Sequence, residues 1–163
     1  MEKIDRVRNQ IFKIFALFFF IFAFCSAGAE ASSCSFVRVV GVNFGSYDEL
    51  SSLPLTSTGS ITYECSSVTG PITIYLNAGT HSGGSFNPRD LLGPSSSLLA
   101  YNLFLDSTYQ TIWGDGTGGT QYYGPVTPTA GQRYTVIIYG KVPPLQNVPL
   151  GFYSDTITAT LNF

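Results

Sequence analysis

Residues 153–163 (YSDTITATLNF) change character at every step, and the chain ends on them. Tyr153, Asp155, Ile157, Ala159, Leu161 and Phe163 share one face; Ser154, Thr156, Thr158, Thr160 and Asn162 share the other. Side chains of an extended strand point alternately to its two faces, so this pattern predicts a half-buried β-strand rather than a helix. Asp155 is the one polar residue on the otherwise apolar face. A domain that ends on a core strand has no later segment to lie beside it, and an exposed strand edge invites pairing with another chain. The first expectation is therefore a β domain with an edge open to a partner.

The other end of the chain predicts where it travels. Residues 1–13 carry Lys3, Arg6, Arg8 and Lys13, residues 14–24 (IFALFFFIFAF) are uniformly apolar, and residues 26–31 (SAGAEA) are mostly small. That order predicts a secretory signal peptide, cleaved after Ala29 or Ala31. Eleven apolar residues are too few for a stable bilayer span, which takes roughly 20, so no stable membrane insertion is expected. Lipid attachment at Cys25 is disfavoured, because Phe24 stands where a small residue belongs. With the leader removed, Cys34 and Cys65 remain as an even pair in an oxidising compartment, and a bridge between them is expected. Closing that loop stabilises a fold by roughly 3–4 kcal/mol. A metal site is the rival reading of the cysteines; it lacks ligands, since His81 is the only histidine and no C-x-x-C occurs.

Residues 32–163 suit one domain with a real core. Four cations (Arg38, Arg89, Arg133, Lys141) and seven anions (Asp48, Glu49, Glu64, Asp90, Asp106, Asp115, Asp155) leave a net charge of −3. Nucleic acid is excluded as a partner, because its backbone demands clustered Lys and Arg. Sparse charge with abundant Ser, Thr, Gly and Tyr fits an extracellular β protein.

Strand signals alternate with turn signals along this stretch. Residues 34–44 (CSFVRVVGVNF) predict a first strand with a bulge at Gly41, and residues 45–59 read as a loop. Residues 60–65 (SITYEC) place Ile61, Tyr63 and Cys65 inward; residues 72–77 (ITIYLN) place Ile72, Ile74 and Leu76 inward. Residues 78–97 are rich in Gly, Ser and Pro and read as loop. Residues 98–106 and 132–141 predict further strands, with short segments at 108–113 and 121–123. No segment keeps a helical period. Six or seven strands separated by turns predict an all-β antiparallel sandwich.

Chemistry-bearing motifs are thin. Residues 114–119 match G-x-G-x-x-G, but no helix follows them, and a glycine-demanding turn is the better reading. Asp115 alone supplies too few oxygens for calcium. No G-x-S-x-G elbow accompanies His81, so neither an enzyme nor a cofactor is expected. Tyr109, Trp113, Tyr122 and Tyr123 offer either an aromatic patch for sugar stacking or packing between sheets.

The ordered residues along the chain resemble a known family. Cys34 is followed by Asn43-Phe44-Gly45-x-Tyr47, then by Gly59-Ser60-Ile61-x-x-x-Cys65, and later by Arg89. Leu99-x-Tyr101-Asn102-Leu103-Phe104-x-Asp106 and residues 113–119 (WGDGTGG) come next. Tyr139-Gly140-Lys141-x-Pro143 and Gly151-x-Tyr153-x-Asp155-Thr156 complete the series. In this the chain resembles the spore coat protein U domain, also the subunit domain of archaic chaperone–usher pili. The resemblance implies an immunoglobulin-like sandwich with one bridge. It implies periplasmic folding on a chaperone in a Gram-negative cell, export through an outer-membrane usher, and assembly with other pilus subunits by donor-strand exchange. It places the chaperone contact on the last strand through Ile157, Leu161 and Phe163, with the Phe163 carboxylate meeting basic residues. One departure stands out. Family subunits carry a donor segment of ten or more residues before the first cysteine, whereas two to four residues would precede Cys34 here. This chain is expected to accept a strand and not to give one, which suits a fibre tip, although tip subunits tend to have two domains. The alternative is a stand-alone secreted binding module, a small adhesin or carbohydrate-binding domain.

Overall fold

Period-two alternation dictates the strands, and their pairing makes two antiparallel sheets. The computed structural model describes residues 33–67 and 70–163; the expected leader lies outside them. The strands are β1 (Ser33–Val40), β2 (Leu55–Ser67), β3 (Ile72–Leu76), β4 (Arg89–Leu92), β5 (Leu98–Phe104), β6 (Tyr123–Val126), β7 (Arg133–Val142) and β8 (Ala159–Asn162). One sheet runs β1-β2-β7-β5-β4 and the other β6-β3-β8. The expected all-β sandwich is therefore present, with one strand more than the sequence suggested.

The β2–β7 ladder is the spine. Its ten pairs run in continuous register from Leu55 opposite Val142 to Glu64 opposite Arg133. Ile61, Tyr63 and Cys65 point inward from β2, and Ile72, Ile74 and Leu76 point inward from β3, as their alternation predicted. They meet Leu99, Tyr101 and Leu103 of β5, Ile138 and Val142 of β7, and Trp113. Each aliphatic side chain buried this way contributes roughly 1.5–3 kcal/mol. The Trp113 indole N–H, fully buried, donates to the Ile74 carbonyl at 2.9 Å, so the largest core residue carries no unpaired donor.

Several features differ from the sequence reading, and the segment expected at 108–113 forms no strand. β2 begins at Leu55, inside the expected loop, because residues 55–59 pair with 138–142 of β7. Gly59 interrupts the side-chain pattern there for a packing reason: a Cβ would lie 2.5 Å from the Val40 carbonyl oxygen. The expected bulge at Gly41 falls instead between Phe36 and Arg38. β4 lies within the Gly/Ser/Pro stretch read as loop, where its four residues are too short to show a period.

Arg89 opens β4 and is wholly buried. Its Nη1 donates to Asn102 Oδ1 at 2.7 Å, Nη2 to the Trp113 and Asn77 carbonyls at 2.6 and 2.9 Å, and Nε to Asn77 O at 3.2 Å. The guanidinium thus ties β4, β5, the end of β3 and the Trp113 turn together. Burial pulls its pKa down to about 10, which leaves it charged at neutral pH. Replacing it by Met would strand the Asn77 and Trp113 carbonyls, and Arg89→Lys would lose the planar fork. Either substitution should lower the unfolding free energy by about 3–5 kcal/mol, read from the urea midpoint.

Cys34 and Cys65 face each other across the β1–β2 ladder and are bridged, with Cα atoms 4.0 Å apart. The bridge restricts the unfolded chain and fastens β1 to the spine. The exported chain should show no free thiol before reduction. Replacing both cysteines by serine should lower its stability by about 3–4 kcal/mol in the same measurement; an unchanged midpoint would show that the bridge constrains nothing.

Candidate functional site: the uncovered edge between β1 and β8

Residues directly opposite in an antiparallel ladder point to the same face. Val39 of β1 stands opposite Ile61 of β2. Ile61 is fully buried, so Val39 also lies on the core face, yet it is 56% exposed. Val37 and Val40 are also exposed, on the outer face of the same strand. The reason is the unequal width of the two sheets. The five-stranded sheet ends at β1, whose ladder partner is β2; the three-stranded sheet ends at β8, whose ladder partner is β3. The two edges approach each other, but among the described residues no strand pairs with the outer side of either. A groove results, walled by two unpaired edges and floored by Phe36, Ile157, Ala159 and Leu161, which pack against the core.

Of the residues expected on the partner edge, Leu161 pairs with Ile74 in β8. Ile157 packs half-buried below it, and Phe163 lies past the end of β8, more than half exposed. The terminal strand is shorter than its alternation suggested. Only Ala159–Asn162 pair with β3, while residues 153–158 run extended and are held mainly by side chains. Asp155 is the principal anchor and accounts for the polar residue on the apolar face. Its Oδ1 accepts from the Thr80 N–H at 2.9 Å, the Thr80 hydroxyl at 2.8 Å and the Thr156 N–H at 2.8 Å; its Oδ2 accepts from the Tyr101 hydroxyl at 2.7 Å. Burial alone would raise its pKa, but these hydrogen bonds outweigh burial and hold it below the ordinary carboxylate value. Asn77 assists: its Oδ1 accepts from Thr158 N at 2.9 Å, and its own N–H donates to Thr158 O at 3.0 Å.

The aromatic residues are largely absorbed into packing. Trp113 is core, Tyr122 meets Tyr75 edge-on, and Tyr123 meets Tyr63 and Trp113. Tyr109 packs against Phe104 and Tyr139 under the Lys141 ammonium. Residues 114–119 form a turn, in which Asp115 Oδ1 accepts from Thr117 N at 2.9 Å and Gly116, Gly118 and Gly119 take left-handed φ. His81 stays in its loop. No cluster of three or more His, Cys, Asp or Glu among the described residues is arranged to hold a metal.

The groove wall on β1 was missed by the sequence reading, although a signal existed. Residues 36–42 (FVRVVGV) are apolar on both faces, which an edge strand facing only a core does not need. A second surface was also missed. The loops between β1 and β2 and between β7 and β8 meet at one pole, where the Tyr47 hydroxyl donates to Pro143 O and Gln146 Nε2 donates to Ala100 O. Leu50, Leu53, Leu145, Leu150 and Phe152 project from these loops, the last two fully exposed.

The Spore Coat Protein U domain model matches residues 21–160. Protein U of Myxococcus xanthus is 33% identical over 150 residues, covering 85% of this chain and 77% of its own. A chain in the CsuC–CsuE chaperone–tip adhesion subunit pre-assembly complex of archaic chaperone–usher Csu pili from Acinetobacter baumannii superposes with a TM-score of 0.56 at 23% identity. That likeness covers 82% of this chain and 40% of the solved one, and it shows a shared fold.

The acid side of the Asp155 anchor is measurable. Its folded pKa is depressed, so its stabilisation is complete above the unfolded value near 3.9 and is lost as pH falls through the lower folded value. Asp155→Asn should cost about 1–3 kcal/mol at pH 7. It should also flatten the loss of stability below pH 4, as followed by urea unfolding across a pH series. Equal slopes in both proteins would exclude Asp155 as the acid-sensitive group.

Proposed function

Because the chain belongs to the Spore Coat Protein U domain family, we propose that it is a non-enzymatic subunit of a surface coat or chaperone–usher pilus, whose β1–β8 groove receives a strand from another subunit. The observation that carries this reading is Val39, a core-face residue with nothing over it. An added strand would satisfy both unpaired edges and cover Val39 together with the open side of Phe36, which is strand addition with alternate side-chain pockets. Residues 1–31 act as a cleaved signal peptide that delivers the chain to the periplasm. A periplasmic chaperone occupies the groove before assembly, engaging Ile157 and Leu161 through β8 and the Phe163 carboxylate through basic residues. An outer-membrane usher then passes the subunit to the surface. The few residues between the proposed leader and Cys34 support a role as acceptor at a fibre end. The apolar loops carrying Leu150 and Phe152 support an adhesive end, since exposed apolar patches mark interaction sites.

Two experiments test this. Expressed without its chaperone, the chain should be degraded, aggregate or exchange strands, and chaperone co-expression should restore yield. A monodisperse monomer that melts cooperatively alone would favour a stand-alone binding module. Appending a few polar residues after Phe163 moves the carboxylate and keeps the strand; chaperone co-purification should fall at least tenfold, and unaltered co-purification would remove the anchoring role.

A further inference from the structure

β7 is paired unequally on its two sides. β2 accompanies all ten of its residues, whereas β5 pairs only through Asn102, Leu103 and Phe104, opposite Lys141, Gly140 and Tyr139. The direction of the remaining backbone groups follows from β5. The Leu103 carbonyl accepts from Trp113 N at 2.9 Å, and the Leu105 amide donates to Thr111 O at 3.0 Å. Leu103 and Leu105 therefore face away from β7, and Asn102 and Phe104 face it. Alternation then turns the amides and carbonyls of Tyr139 and Lys141 toward β5, and those of Arg133, Thr135 and Ile137 toward the same side. β5 has already left at that level. No ladder and no backbone hydrogen bond meets residues 133–137 on that side among the described residues. A cleft of about 370 Å³ opens there between β7 and Tyr123 of β6, with Leu105 in its wall.

The edges away from the groove are managed. β6 carries Pro125, which has no N–H to offer. β4 is four residues long and is bridged on its outer side by reciprocal hydrogen bonds between Leu92 and Ser154. β1 and β8 flank the groove. The open edge of β7 has no proline and no bulge, and it exposes Ile137 at 39%.

We propose that this edge pairs antiparallel with the same edge of a second copy of the chain, about a twofold axis at Thr135. The edge is complementary to itself in this register. Thr135 meets Thr135, and Arg133 meets Ile137 twice, so every free amide and carbonyl of the three residues finds a partner. Charge agrees with the same register. Arg133 of one copy lies opposite Ile137 rather than another cation, and each Arg133 is already neutralised by Glu64 of its own chain at 2.7 Å. The uncharged middle of the edge brings no repulsion, and the twofold sets the two clefts face to face. One such contact is small. Repeated along a coat or between fibres it becomes strong through multivalency. The contact rests on the coat or pilus reading for its purpose, but it uses β7 and not the groove, so either can fail alone.

Thr135 is exposed on the outer face of β7, where its hydroxyl shares a 2.9 Å hydrogen bond with the Thr62 hydroxyl that water can replace, so its side chain can change without altering the backbone. Thr135→Cys in the exported chain should give a disulfide-linked dimer on a non-reducing gel. Thr58→Cys, exposed on the outer face of β2, should remain monomeric. A monomeric Thr135→Cys protein, or equal crosslinking at both positions, overturns the proposal. Thr135→Lys and Thr135→Glu each place like charges directly across the axis and should reduce co-purification of tagged with untagged copies about tenfold. Lys and Glu variants expressed together should recover it. Copies that associate equally well in all three combinations, with unchanged melting, would place any self-contact elsewhere.

Discussion

A single buried cation organises this sandwich. The Arg89 guanidinium sits where the end of β3, the start of β4, the middle of β5 and the Trp113 turn converge, and it hydrogen-bonds to three of those backbones or side chains at once. The apolar core sets the separation of the two sheets; Arg89 sets how their loops register at this corner. Asn102 completes the corner by donating to the Phe86 carbonyl at 2.9 Å, which pins the long 78–88 loop over β5. With that loop in place, Thr80 can reach Asp155 and Asn77 can reach Thr158. The lead into β8, and with it one wall of the groove, is thus positioned through a chain of polar contacts that begins at Arg89.

The groove and the open part of β7 arise from the same arithmetic of strands. Two sheets of five and three strands cannot cover each other completely. On one flank the narrow sheet ends early and leaves the core face of β1 bare. On the other, β5 turns away after Phe104 to meet residues 111–113, leaving the lower half of β7 unaccompanied. The flanks differ in chemistry. The first exposes side chains that belong in a core, so any occupant would have to supply apolar residues. The second exposes mainly backbone, so its occupant need only be extended.

Much of this was legible in the sequence, and what was not has identifiable causes. The inward positions of β2 and β3 follow from strict alternation over five or more residues, and the spacing of the cysteines agreed with a bridge between neighbouring strands. The alternating end of the chain marked the correct face but not the correct pairing. Asp155, Asn77 and Tyr153 hold residues 153–158 through side chains, and period-two reading does not separate a paired strand from an extended one. β4 escaped notice because four residues among Gly, Ser and Pro carry no period. Arg89 gave no local sign of burial, since its environment is assembled from residues 77, 102 and 113. The bare face of β1 depends on how far the opposite sheet extends, and local alternation does not record which strands will share a sheet.

The manner in which Arg89 is held bears on the medium in which such a fold can persist. All its hydrogen-bond partners are oxygens of neutral groups, and the ion pair present among the described residues, Arg133–Glu64, is exposed. Dissolved salt weakens attractions between opposite charges in water and barely touches a buried cation solvated by amide oxygens. The electrostatic contacts that hold this corner are therefore little screened by salt. A buried cation solvated by amide oxygens thus keeps its hold whatever ions the surrounding water carries.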